Sequence, residues 1–425
     1  MLSIFALLIG MCMIAISSTT VHIDICVNIL IALFSVAFIF DISRSRKYKK
    51  YSMPLTIGYF FRIALLYYDV YSSDPFHLPL VGGPLSSDPY YFYQVAIGYS
   101  QGISTNYGGF FPRLLGYIFR FTGASRLWAE FWVLLASLGT ILVFIHIVEE
   151  LNVSQSSRLK GAYLIALLPN YAMMSAILRR ETAITFFLSL SLLYFLRWMK
   201  GEDKLKSIVL STMFALVASL FHGATGLIIA GYIFVMIIYS PKHNRFVLDP
   251  KNLIGAVAFI AVILFVYSRY GTVFFGKVES KLEAGALAST ADKGGSSYAR
   301  YVGDARTPVR MLIYAIPRFL YFLFSPFPWQ WRGVSDIITF LMSSCVYLLI
   351  MLHSIYYLRT VGKEDENRKV IIVVLVITIL SAAVFSWGVK NTGTAVRHRD
   401  KFITMFALLY VLNSEKRLPI RIRRH

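Results

Sequence analysis

Long runs without one charged side chain govern what this chain can fold into. Residues 1–23, 25–40, 161–178, 182–196, 207–241, 252–268 and 370–389 contain no Asp, Glu, Lys or Arg. A helix of about 18 or more apolar residues spans the hydrocarbon core of a bilayer. It can do so because its backbone groups satisfy one another where water is absent. Only 15% of the 425 residues are charged and 57% are hydrophobic, against about 25% charged in a soluble domain. That balance excludes a disordered chain and argues against a string of soluble domains. The reading is an all-α polytopic protein, a single integral membrane domain over residues 1–425.

Twelve spans are predicted, near 3–20, 24–41, 51–70, 127–148, 161–178, 182–198, 207–222, 224–240, 252–269, 335–357, 370–388 and 401–413. The uncharged stretch 207–241 is read as two spans with a turn at His222 and Gly223. A single span there would reverse everything downstream. The first run lacks a basic leader and a small-residue cleavage site, and is read as a retained span. The formal charge of +20 suggests nucleic acid in a soluble protein. Here the basic residues sit mostly in short segments between apolar runs, so no nucleic-acid partner is expected. Placing Arg44, Arg46, Lys47, Lys49 and Lys50 in the cytoplasm puts more than half of the 42 Lys and Arg residues on that side, as the positive-inside rule requires. Both termini then lie in the cytoplasm. Cys12, Cys26 and Cys345 fall in apolar runs without metal-ligand spacing and read as small buried hydrophobes.

Two outer segments, 71–126 and 270–334, are too long to be simple connectors. They contain the amphipathic, aromatic-rich stretches Asp88–Tyr99, Phe110–Phe121 and Arg310–Trp331, which suit helices lying in the membrane interface. Basic residues recur on this outer side against the positive-inside rule: Arg179 and Arg180 in a tight hairpin, Arg318 in the second loop, and Arg397, His398, Arg399 and Lys401 before the last span. A membrane-borne anion would compensate them. Arginine suits phosphate because its planar fork binds two oxygens. Glu181 follows the hairpin, where it can pair with either arginine and favour the start of the next helix. Asp69 is expected to pair with Arg62 or to reach the interface.

Asp88 precedes Pro89, a good helix-start pair. Its functional reading is a carboxylate above the membrane that accepts a proton or holds a divalent cation. His222, alone in its apolar stretch, and His398, between two arginines, are the other candidate catalytic groups. No cofactor is required by any motif. Whether a metal is used stays open at this point.

An outer Ser87-Asp88-Pro89-Tyr90-Tyr91-Phe92 helix, the Arg180-Glu181 hairpin, the Phe221–Gly223 turn, the segment Pro317–Trp329 and the Arg397–Arg399 cluster form a familiar layout. It resembles the Wzy-like oligosaccharide-repeat polymerases of bacterial surface-polysaccharide assembly and the broader GT-C membrane glycosyltransferases. The resemblance implies a helix bundle with a catalytic cavity at the outer leaflet of the bacterial cytoplasmic membrane. It also implies polyprenyl-linked glycan substrates, and other assembly proteins of the membrane as partners. Asp88 matches the first-loop carboxylate that serves GT-C enzymes as base or metal ligand. Arg179, Arg180, Arg397 and Arg399, with Arg318, match arginines that hold a pyrophosphate. Many GT-C enzymes carry paired acids in this loop, and Asp88 has no adjacent acid. The leading expectation is a polymerase of polyprenyl-pyrophosphate-linked repeat units. The alternatives are a GT-C transferase using a polyprenyl-phosphate monosaccharide and a flippase for a lipid-linked glycan.

Overall fold

The computed structural model describes residues 2–17, 23–72, 88–103, 109–247, 253–262, 296–303, 307–362 and 365–415, with a few single positions between 250 and 269. The described residues are mostly helical, with one short hairpin pairing Tyr239–Ser240 with Arg245–Phe246 and an isolated bridge between Ser297 and Asn391. Six helices are long and apolar enough to cross a membrane: Ile23–Arg44, Arg126–Glu150, Glu181–Met199, Lys204–Phe221, Val334–Thr360 and Glu366–Gly388. Helices also form at the other six predicted places, but these are shorter, less apolar or interrupted.

Burial separates central from peripheral helices. Ile403–Asn413 is apolar on every side and almost every residue is buried, as a helix without a polar face must be. It packs on Gln155–Leu167, Val334–Thr360 and Glu366–Gly388. In Ile23–Arg44, by contrast, Ile25, Ile29, Leu33, Val36 and Phe40 face outward. Such an apolar exterior suits a lipid bilayer and not water.

The predicted span 161–178 is not one helix. Gln155–Leu167 stops at Leu168, and Pro169–Met174 starts a new short helix. Pro169 has no N–H and disfavours a helical residue before it, so the carbonyl of Ile165 loses its normal donor. Arg62 replaces it. Its Nη2 lies 3.4 Å from the Ile165 carbonyl, and its Nη1 donates to the Ala166 and Gly58 carbonyls at 2.6 and 2.9 Å. Its Nε reaches the hydroxyls of Ser137 and Ser175 at 2.8 and 2.9 Å. Gly58 lets the two helices meet this closely, since a Cβ there would fall 2.9 Å from that of Ala166. The expected pairing of Asp69 with Arg62 is therefore corrected. Asp69 pairs with Arg126, which also holds Glu130 at 2.8 Å.

The amphipathic stretches form the helices Asp88–Ser100, Phe110–Thr122 and Pro308–Phe324. The first two pack on each other through Phe92 against Phe111 and Tyr93 against Phe119. Gly116 permits the crossing, because a Cβ there would meet Tyr99 at 2.4 Å. Phe110 then stacks edge-on against Phe221, 5.1 Å between centroids. This pair of helices thus sits over the end of Lys204–Phe221, where the chain turns at His222. That turn divides 207–241 into Lys204–Phe221 and, after a 3₁₀ turn Gly223–Leu227, Ile228–Ile238.

Candidate functional site

Two turns distant in sequence bring the basic residues together. After Met174 the chain runs through an irregular stretch to Arg180, and Glu181 begins a new helix. The short helix Thr392–Arg399 is capped by the Asn391 side chain, which accepts from the Thr394 N–H at 2.8 Å. Its last turn presents Arg397, His398 and Arg399.

Arg397 is the hub. One Nη donates to the Asp88 carboxylate, and Nε lies 3.2 Å from Glu181 Oε1. Glu181 therefore takes its ion pair from Arg397, not from the adjacent arginines expected from sequence. Arg179 Nη1 lies 4.0 Å from the same Asp88 oxygen. Arg180 places its guanidinium over the Phe92 ring at 5.7 Å, so the helix that carries Asp88 also steers Arg180. The Nε atoms of Arg179 and Arg180 are buried without a hydrogen-bond partner. Burial, then the nearby Arg397, pushes the Arg179 guanidinium down to about 10, so it remains charged at neutral pH. Three guanidiniums thus surround two carboxylates at one end of the bundle.

A second group adjoins the first. His398 and His222 meet edge-on at 5.0 Å between ring centroids, and both rest against Phe385. Lys401 Nζ lies 2.7 Å from His398 Nδ1 and 4.9 Å from the centre of the Phe385 ring. Burial, and then Lys401, His222, Arg397 and Arg180, hold His398 well below the ordinary imidazole range. It is neutral at physiological pH and can accept or donate one hydrogen bond. Phe385 was given no role by sequence reasoning, and Lys401 was read only as one of the outer basic residues, without its contact to His398. The signal for Lys401 was its helical spacing, three residues beyond His398 and four beyond Arg397.

The structure separates two other arginines from this cluster. Arg399 is fully buried and its donors are engaged. Its Nη1 donates to the Leu323 and Ser325 carbonyls at 3.0 and 2.5 Å, Nη2 to Ser344 Oγ at 3.0 Å, and Nε to Ser343 Oγ at 3.2 Å. Arg318 stacks over Trp387 at 4.8 Å and donates to the Gly303 carbonyl at 2.9 Å. Asp74, His77 and Arg306 lie outside the described residues. Among the described residues no three His, Cys, Asp or Glu side chains converge as metal ligands would, and the carboxylate of Asp88 faces guanidiniums.

This arrangement can bind an anion with several oxygens between Arg179, Arg180 and Arg397. It sets a carboxylate and two imidazoles beside that anion. Comparison with protein families, curated proteins and solved structures finds no match for this chain.

Proposed function

We propose that this protein is a membrane glycosyltransferase of the repeat-unit polymerase kind. In this reading it crosses the bacterial cytoplasmic membrane twelve times with both termini in the cytoplasm, and the arginine cluster faces the outer leaflet. The donor is a polyprenyl-pyrophosphate-linked oligosaccharide. An acceptor hydroxyl attacks the anomeric carbon, and the bond from that carbon to the pyrophosphate oxygen breaks. The lipid pyrophosphate leaves with the bonding electrons, and the hydroxyl proton passes to a base. Arg179, Arg180 and Arg397 stabilise the charge growing on the leaving group. Asp88 is the first candidate for the base, with His222 and His398 beside it.

One observation carries the reading. Arg179, from one turn, and Arg397, from another, converge on Asp88, with Arg180 beside them over Phe92 and the buried Nε atoms of Arg179 and Arg180 without a hydrogen-bond partner. A diphosphate supplies both the charge and the acceptors such a site lacks. A GT-C transferase with a polyprenyl-phosphate monosaccharide donor would use the same convergence, with Asp88 as its first-loop carboxylate.

The lipid-linked glycans that accumulate on deletion separate the readings. Single complete repeat units on lipid at the outer face support the polymerase. Units lacking one sugar indicate the transferase. Accumulation confined to the inner leaflet indicates a flippase and removes the proposal.

A further inference from the structure

The cluster carries its own anions, the carboxylates of Asp88 and Glu181. The two carboxylates on Arg397 differ in how they are held. Glu181 is deeply buried, with its side chain 5% exposed, and contacts Arg397 through Nε. Asp88 is 39% exposed and sits on the other edge of the same guanidinium. Arg179, 5% exposed, reaches the Asp88 oxygen only at 4.0 Å, and its Nε has no hydrogen-bond partner. Glu181 therefore fixes Arg397 from within, while Asp88 closes the cluster from the solvent side.

We infer that Asp88 is a displaceable counter-ion. Its carboxylate occupies the place on Arg397 and Arg179 that a diphosphate takes, and the arriving diphosphate releases it. This rests on the reading of the cluster as a diphosphate site. The exchange is chemically direct. A diphosphate offers several anionic oxygens to three guanidiniums, whereas Asp88 offers one carboxylate. An ion pair with one partner this exposed is weak and easily exchanged. Glu181 keeps Arg397 in place when Asp88 leaves, so the site does not collapse. The released carboxylate then lies beside the bound leaving group, free to accept the proton of the attacking hydroxyl. The base becomes available only once a donor is bound.

Titration of detergent-purified full-length protein with inorganic pyrophosphate, by calorimetry, tests this. Asp88→Ala and Asp88→Asn should bind pyrophosphate more tightly than wild type, by on the order of fivefold for a counter-ion of this exposure. Asp69→Asn is the control for a general field effect. Asp69 also acts electrostatically on Arg179, but its carboxylate is held by Arg126. An equal gain in the Asp69 and Asp88 variants, or no gain in either Asp88 variant, overturns the exchange while leaving the diphosphate site intact. Absence of binding by wild type and all variants removes the site itself, and the proposed function with it.

Discussion

Arg397 and Arg399 are two residues apart and have opposite surroundings. Arg399 spends its donors on two carbonyls and two hydroxyls in the interior. Arg397 is ion-paired with the carboxylates of Asp88 and Glu181, near the open side of the cluster. Arg399→Ala should therefore lower the yield of folded protein, because several buried acceptors lose a charged donor at about 1–3 kcal/mol each. Size-exclusion profiles and thermal unfolding in detergent read this directly. Sequence placed both arginines in one phosphate-binding set, and spacing alone could not divide them. The carbonyls of Leu323 and Ser325 come from a helix end remote in sequence. His398 gives a pH prediction. Its native form resists protonation, whereas in the unfolded chain it titrates near the ordinary value of about 6.5. The unfolded state therefore binds an extra proton as pH falls below that value. Stability should drop by up to about 1.4 kcal/mol per pH unit below it, with no contribution above it. His398→Gln should flatten the loss of melting temperature between pH 7 and pH 5. An unchanged slope would place the responsible titration elsewhere.

At the scale of elements, the long uncharged runs were legible because membrane helices are written in composition. The two-helix reading of 207–241 agrees with the turn at His222. The break at Leu168–Pro169 was not read, although the proline was visible, because a lone proline in an apolar run is compatible with a kinked continuous span. What decides the break is Arg62, which comes from another helix and supplies donors to Ile165 and Ala166. Arg62→Met should destabilise the protein by about 3 kcal/mol or more, since it strands these carbonyls in an apolar interior. Pairing the change with Pro169→Ala should recover part of the loss, because an N–H returns to Ile165. Equal instability of the single and double variants would mean that Arg62 does not serve the break. At the opposite end of the bundle the basic loop was legible, but its contact with His146 was not. His146 carried no local signal, yet it lies 2.5 Å from Lys47 Nζ and 2.7 Å from Tyr48 Oη. Those partners belong to a distant basic loop, and only folding brings them within reach.

For the whole molecule, the candidate site was half legible. Asp88, His222, His398 and the arginines were picked out as polar groups in an apolar chain. That Glu181 binds Arg397, and that Lys401 sits on His398, are facts of the packing. The proposed orientation predicts a labelling pattern. In a background lacking Cys12, Cys26 and Cys345, cysteines at the exposed positions Gln101 and Trp329 should react with an impermeant thiol reagent from outside, and those at Lys200 and Lys204 should not. The central claim is that Arg179, Arg180 and Arg397 hold a lipid diphosphate during polymer formation. Its most direct test is polymer length and yield, per folded protein in the membrane, for Arg397→Ala, Arg180→Ala and the corresponding Lys variants. No polymer is expected with either Ala variant and partial polymer with Lys, which keeps the charge but not the two-pronged fork. Full polymer from both Ala variants at normal protein levels would contradict it.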